Sequence, residues 1–216
     1  MKRTRRKSRE YKIRNIVLEY VDSNLKTYLI LLIIFLIGII FGVIFVNSAK
    51  ENQSNQMQNY IQNFINSIKE NYQISHTKLL ANAVAKNTIT ASILWFLGLT
   101  VIGMPLIYLF ILYKGFCLGF TSAAIVGTLG SAKGALFIIS TMLLQNIIYI
   151  PIIITLAVNG IKLYSQIMED RRKDNIKLQI LRHTIFSILM LAILVIAAFI
   201  ETYISGNLSN FFVKFY

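Results

Sequence analysis

Two histidines, one cysteine and a pair of adjacent amides are the residues of this chain whose types could do chemistry. His76 and His183 each lack a second metal ligand or a nucleophile at a useful spacing, which favours interfacial or structural roles. Cys117 is the single cysteine, so no intramolecular disulfide and no Cys/His metal spacing is present. The zincin, serine-hydrolase and phosphate-loop patterns are also absent. The sequence therefore predicts no enzyme, no cofactor and no metal site.

The amide pair Gln145-Asn146 lies near the middle of a long uncharged run and is followed by Pro151. The proline removes one helix hydrogen bond and tends to kink the helix. Amides at membrane depth usually bond to a neighbouring helix, so we interpret this pair as a packing element. A small-solute or lipid transporter that uses the same amides along its path stays open as the alternative.

Long uncharged runs determine the class of the protein. Of its 216 residues, 56% are hydrophobic and 14% are charged, against about 25% charged in soluble domains. A helix needs roughly 17–25 apolar residues to cross the hydrocarbon core. The chain is therefore predicted to be an all-α integral membrane bundle of about five transmembrane helices, over residues 28–46, 88–113, 115–132, 135–158 and 184–200.

The distribution of positive charge predicts the topology. The net charge is +13, and eight Lys/Arg fall within residues 2–14. This charge lies beside apolar spans rather than on a folded basic domain, so it favours contact with anionic membrane lipid and no nucleic acid. Five crossings place 16 Lys/Arg inside and six outside, whereas four crossings without 115–132 give 12 and 10. The positive-inside rule thus favours five crossings with the N-terminus in the cytoplasm.

This topology divides the chain into three parts. Residues 1–27 form a basic cytoplasmic segment with an interfacial helix, residues 28–205 form the polytopic membrane domain, and residues 206–216 form an outer tail. Within the membrane domain, residues 47–87 form an outer loop and residues 159–183 form a cytoplasmic loop.

The third predicted span carries small residues at every fourth position. Gly115, Gly119, Ala123 and Gly127 would form one smooth helix face along which another helix can approach closely. A re-entrant segment covered by protein is the alternative. The first span has one matching pair, Gly38-x-x-x-Gly42, and a lone pair of this kind is weak evidence of a specific contact.

The outer loop contains an apolar stripe at helical spacing. A helix with such a stripe must bury it on the membrane surface, on its own spans or on a partner. The residues of the stripe are Met57, Tyr60, Ile61, Phe64, Ile65, Ile68 and Tyr72. Tyr60, Phe64 and Ile68, together with Tyr203 near the outer tail, are the candidates for partner binding.

Five short motifs occur in a fixed order along the chain. They are Gly38-Ile39-Ile40-Phe41-Gly42 with Val46-Asn47-Ser48, Trp95-Phe96-Leu97-Gly98 with Ile102-Gly103-Met104-Pro105, Lys114-Gly115 with Gly119-Phe120-Thr121, Gln145-Asn146 with Ile150-Pro151, and Glu201-Thr202-Tyr203-Ile204-Ser205. In this order and spacing the sequence resembles the stage II sporulation protein M family over roughly residues 28–205.

The resemblance implies a function that composition alone does not provide. Members of that family are multi-pass proteins of endospore-forming bacteria that act at the sporulation septum, when the mother-cell membrane engulfs the forespore. The resemblance implies a non-enzymatic anchor for the stage II sporulation proteins P and D, which degrade peptidoglycan on the outer side. It supplies no catalytic residues, and it leaves a homo-oligomer open.

Overall fold

The computed structural model describes residues 19–70, 76–100, 102–169 and 176–214. Within these ranges the chain is helical and contains no strand, which confirms the predicted all-α class. A short helical segment at residues 19–23 precedes the longer helices, and a π-helical segment, Ile138–Leu143, lies between the fifth and the sixth of them. The longer helices are α1 (Leu25–Asn47), α2 (Glu51–Glu70), α3 (His76–Leu99), α4 (Gly103–Leu129), α5 (Ser131–Phe137), α6 (Leu144–Glu169) and α7 (Ile176–Lys214).

Among the described residues, four helices are long and apolar enough to cross a membrane. They are α1, α4, the part of α6 from Asn146 to Met168, and the part of α7 from Ile176 to Phe199. The predicted number was about five. Helix α3 is as long as the others but is less apolar, because its sequence includes Asn82, Lys86 and Asn87.

The predicted run 88–113 is divided between two helices. Helix α3 ends at Leu99 and α4 begins at Gly103, so α4 continues through Lys114 to Leu129 where the sequence had indicated a boundary. In the turn between them, the Thr100 N–H donates to Leu97 O at 3.2 Å and the Gly103 N–H donates to Thr100 O at 3.0 Å. A Cβ at position 103 would overlap Leu97 O, so the turn requires glycine there. The predicted spans 88–113 and 115–132 thus correspond to helices with different ends.

A second break separates α4 from α5 at Gly130. This residue has a φ of 82°, and glycine adopts positive φ without steric cost. From Ser131 to Glu169 the chain then stays helical through α5, the π-helical segment and α6. The predicted span 135–158 lies inside this stretch, and Pro151 lies inside α6.

The core of the bundle surrounds α6, in which Ile153, Leu156, Ala157 and Val158 are fully or almost fully buried. Helix α3 packs on α4, α6 and α7, and α1 packs chiefly on α4. Most apolar side chains of α1 remain exposed. This distribution is expected of a bundle whose outer surface faces lipid rather than water.

Candidate functional site

Lys114 lies at the centre of a polar cluster inside the bundle. It is the twelfth of the 27 residues of α4, which is one of the four membrane-spanning candidates. Its Nζ donates to the Thr90 Oγ1 at 3.1 Å and lies 5.3 Å from the ring centre of Phe110 and 5.7 Å from that of Tyr149. Ionisable groups at this depth are costly, so their presence points to function.

The turn between α3 and α4 positions this cluster. Thr90 and Lys114 each lie twelve residues from Ile102, and the antiparallel hairpin therefore brings them to the same level. Helix α6 supplies Tyr149, whose hydroxyl donates to the Thr90 Oγ1 at 3.2 Å. One threonine oxygen thus accepts hydrogen bonds from two donors that come from two other helices.

Uncharged runs end on both sides of Lys114, between the predicted spans 88–113 and 115–132, so the five-crossing topology predicted a cytoplasmic connection at this residue. The structure places it within α4, and the Gly103-Met104-Pro105 motif was the signal that could have located it. Proline is tolerated in the first turn of a helix, so this motif marks the start of α4 rather than a bend within a longer span. From Gly103 to Leu129, Lys114 is then the single charged residue.

The predicted amide pair lies next to this cluster on α6. The Asn146 Nδ2 donates to Met142 O in the preceding π-helical segment at 2.8 Å, and the side chain of Gln145 lies outside the described residues. The π-helical segment immediately precedes both amides. Single π-helical turns within α-helices frequently occur at functional sites.

The predicted small-residue face lies partly in a helix–helix interface. Cβ atoms at Gly115 and Gly119 would overlap the carbonyl oxygens of Phe35 and Ile39 on α1, and Gly38 and Gly42 of α1 meet α4 in the same way. The two Gly-x-x-x-Gly pairs therefore pack on each other, and α1 and α4 run in the same direction.

The C-terminal part of that face, toward the end of α4, does not take part in this contact. Ala123 is half-buried and Gly127 is exposed, with no atom within 4 Å of a Cβ placed there. The close approach of α1 and α4 is therefore confined to the level of Gly115 and Gly119.

His183 is buried where α3, α6 and α7 meet, with 2% of its surface exposed. Its Nε2 is 3.3 Å from Trp95 O, an acceptor, so this nitrogen carries the proton. The Nδ1 then accepts from the Asn159 Nδ2 at 2.9 Å. Both ring nitrogens are used in packing, which leaves neither for a metal or a proton transfer. The side chain of His76 lies outside the described residues.

The segment before α1 packs against the ends of two other helices. The Tyr20 ring stacks on Phe186 with ring centres 5.5 Å apart, and the Lys162 Nζ lies 4.7 Å from the centre of the Tyr20 ring. Burial raises the pKa of Tyr20 above its ordinary value, so the phenol stays neutral and Lys162 meets an aromatic face rather than an anion. Residue 20 thus lies toward the C-terminal part of α6 and the N-terminal part of α7.

Helix α2 packs on α4 and borders a groove of about 470 Å³ between itself and the ends of α1 and α4. Met57 and Ile61 line the groove and are partly buried, whereas Tyr60 is 76% exposed. The side chains of the other predicted partner-binding residues, Phe64, Ile68 and Tyr203, lie outside the described residues.

Among the described residues, no three His, Cys, Asp or Glu side chains come together in a way that could hold a metal ion.

Comparison with known proteins identifies the family. No curated protein and no solved structure matches the chain. The family model for stage II sporulation protein M matches residues 31–206, which include all four membrane-spanning candidates except the first residues of α1. The chain is therefore a multi-pass membrane protein that belongs to the stage II sporulation protein M family.

Proposed function

We propose that this protein is a non-enzymatic membrane anchor that positions peptidoglycan-degrading partners during forespore engulfment. Membership of a sporulation family supports this role, and the observation that carries it is α2. This helix of 20 residues packs on α4 and leaves Tyr60 76% exposed beside an open groove. Exposed aromatic side chains beside a groove are typical anchor points for a partner protein.

The proposed partners are the stage II sporulation proteins P and D, which the family resemblance implies. Wall-degrading enzymes act outside the membrane, so the surface that holds them has to be on the outer side. The side of the membrane on which α2 lies therefore has to be established first.

The proposed topology has five crossings, with α3 as the second. Helix α3 runs antiparallel to α7, since the Asn87 Nδ2 donates to Leu194 O at 3.1 Å and the Trp95 Nε1 donates to the Thr184 Oγ1 at 3.2 Å. These contacts extend over about 15 Å of a membrane-spanning helix. Helix α3 can be less apolar than a lipid-facing span because α4, α6 and α7 cover much of it.

This topology also satisfies the charge rule. Fifteen Lys/Arg then lie on the inner side and five on the outer side, while Lys86 and Lys114 lie within the crossing helices α3 and α4. The N-terminal segment and the connection between α6 and α7 share the inner side, in agreement with the contact of Tyr20 with Lys162. Helix α2 and the C-terminal tail then lie outside.

The topology predicts a pattern of labelling. With Cys117 replaced by serine, single cysteines at Ser54 and Asn210 are expected to react with an impermeant thiol reagent in intact cells. Cysteines at Ser8 and Asn175 are expected to react only after the membrane is opened. Labelling at Asn175 in intact cells, without labelling at Asn210, would contradict the five-crossing topology, and absence of labelling at Ser54 would place α2 on the wrong side for the proposed partners.

Co-purification tests the anchor function itself. The tagged full-length protein, extracted in mild detergent from sporulating cells, is expected to retain the stage II sporulation proteins P and D. Retention should depend on sporulation stage, and a tagged unrelated multi-pass protein serves as the control. If neither hydrolase is retained and uptake of a small solute depends on the protein, the transporter alternative replaces the anchor.

A further inference from the structure

Two grooves on the surface of the bundle adjoin at the ring of Phe45. The first, of about 470 Å³, is the groove between α2 and the C-terminal ends of α1 and α4. The second has a volume of about 780 Å³ and lies between α1 and α4, with Leu97 of α3 in its lining. Phe45 lines both, and its ring centre lies 5.7 Å from that of Phe116 and 6.1 Å from that of Phe120. The two grooves therefore lie end to end, and we call them together the aromatic groove.

The amide side chains of the aromatic groove lie at its α2 end. Gln53, Gln56 and Thr121 line this end, whereas the lining away from α2 consists of leucine, phenylalanine, glycine and one tyrosine. Among the described residues that line the groove, none is charged. The Thr121 hydroxyl donates to Cys117 O at 2.8 Å, so the two glutamine amides are the main hydrogen-bonding groups offered to a ligand. A ligand with one polar end and a long apolar part matches this arrangement.

The dimensions of the aromatic groove suit a lipid chain. Its lining extends along α4 from Leu106 to Ala124, which at 1.5 Å per residue is roughly 27 Å. An acyl chain has to extend only about 15 Å to reach the centre of the bilayer, half of the hydrocarbon thickness. The volume of each part also lies within the range of roughly 300–1,000 Å³ that is usual for small-ligand sites. A whole acyl chain can therefore lie in the groove.

We propose that the aromatic groove binds a single membrane lipid, with one acyl chain along the phenylalanine rings and its polar end at Gln53 and Gln56. The walls belong to α1 and α4, two of the membrane-spanning candidates, and Phe41 and Phe45 are 57% and 55% exposed. The groove is therefore continuous with the surface that faces lipid, and acyl chains are the material that surrounds it. Since no charged side chain lines it, the amides and the chain length select the lipid rather than the net charge of the headgroup.

This inference goes beyond the proposed anchor function and does not require it. Met57 and Ile61 of α2 line the groove and are partly buried, so a bound lipid would contact these side chains rather than the exposed part of Tyr60. Such a lipid would hold α2 against the ends of α1 and α4 whether or not a partner protein is bound. The experiment therefore uses the purified protein and no sporulation partner.

The probe is phosphatidylcholine, which has no net charge and is therefore not attracted by the basic N-terminal segment. The full-length protein is purified in detergent, and the binding of successive lipids is measured by native mass spectrometry. We expect the first lipid to bind about tenfold more tightly than those that follow, a difference that two net hydrogen bonds can supply. Thr121→Trp, which places a large ring in the groove from an exposed position, should remove this first step. Ile196→Trp, the same residue introduced at an exposed position on α7, is the matched control and should retain it.

A second pair of variants tests the amides without filling the groove. Gln53→Leu with Gln56→Leu should weaken the first step to the level of the following ones. Asn55→Leu with Gln62→Leu, at exposed positions on the opposite face of α2, should leave it unchanged.

Three results would overturn the proposal. In the first, the wild-type protein binds successive lipids with equal constants. In the second, the tight first step persists in Thr121→Trp or in the variant that lacks both groove amides, or it is lost in either control. In the third, the wild-type protein is a dimer that binds no lipid tightly, which would mean that a second copy covers the groove.

Discussion

Gly119→Leu is expected to destabilise the whole bundle and to reduce the amount of protein that accumulates in the membrane. Gly119 lies against the backbone of Ile39, where a Cβ would already overlap the carbonyl oxygen of that residue. Backbone atoms cannot rotate away as a flexible side chain can, so α1 and α4 must separate. Overpacking of this kind typically costs about 1–3 kcal/mol, and occasionally more. The measurement is unfolding in detergent, together with the level of protein in the membrane.

The same helix offers a matched control for this prediction. Gly127→Leu makes the identical change two helical turns farther along α4, where a Cβ would meet no atom within 4 Å. Since Gly127 is exposed, this variant should accumulate and unfold like the wild type. Equal stability of the two leucine variants would show that α1 and α4 do not approach each other at Gly119.

If the proposed anchor function holds, Tyr60→Asp is expected to release the proposed wall-degrading partners and to stop engulfment. Tyr60 is an exposed aromatic side chain of the stripe, and tyrosine is enriched among the few interface residues that contribute about 2 kcal/mol or more. A loss of this size lowers the binding constant about 30-fold. The measurement is the amount of hydrolase retained by the tagged protein, scored beside engulfment in sporulating cells. Phe64→Asp with Ile68→Asp extends the same test along the predicted stripe.

Asn59→Asp adds the same charge at the neighbouring exposed position and is the control for Tyr60→Asp. It should leave both the partners and engulfment unchanged. Because Tyr60 is 76% exposed, its replacement should not reduce the stability of the bundle, and normal accumulation of Tyr60→Asp verifies this. A stable Tyr60→Asp protein that retains its partners and supports engulfment would place the binding surface elsewhere.

The helical membrane class could be predicted from the sequence because long uncharged runs have few other physical explanations. The positions of the helix ends could not, because they depend on a local contact. The break at Thr100 follows from the fit of Gly103 against Leu97 O, and a hydropathy pattern does not contain that information. The boundary predicted at Lys114 put this residue in a loop rather than in the middle of a helix, and the main polar cluster was missed with it.

Contacts between residues that are far apart in the chain could not be predicted from the sequence either. The two Gly-x-x-x-Gly pairs were each recognised, but their spacing does not indicate that they pack on each other. His183 looked like an isolated histidine. Its partners, Asn159 and Trp95, are far from it in the chain, and neither lies at a distinctive spacing from it. Both contacts depend on which helices become neighbours, and this is a property of the assembled bundle.

The pairing of α1 with α4 has a consequence for biosynthesis. Gly115 is synthesised more than seventy residues after Gly38, a delay of roughly 4–15 s at typical rates of translation. Throughout that time α1 has to remain in lipid without the helix that packs on its glycines. Its composition suits this requirement, since it is the most apolar of the four spanning candidates. Helix α3 has the opposite character, so we expect the insertion machinery to hold it until α4, α6 and α7 have emerged from the ribosome.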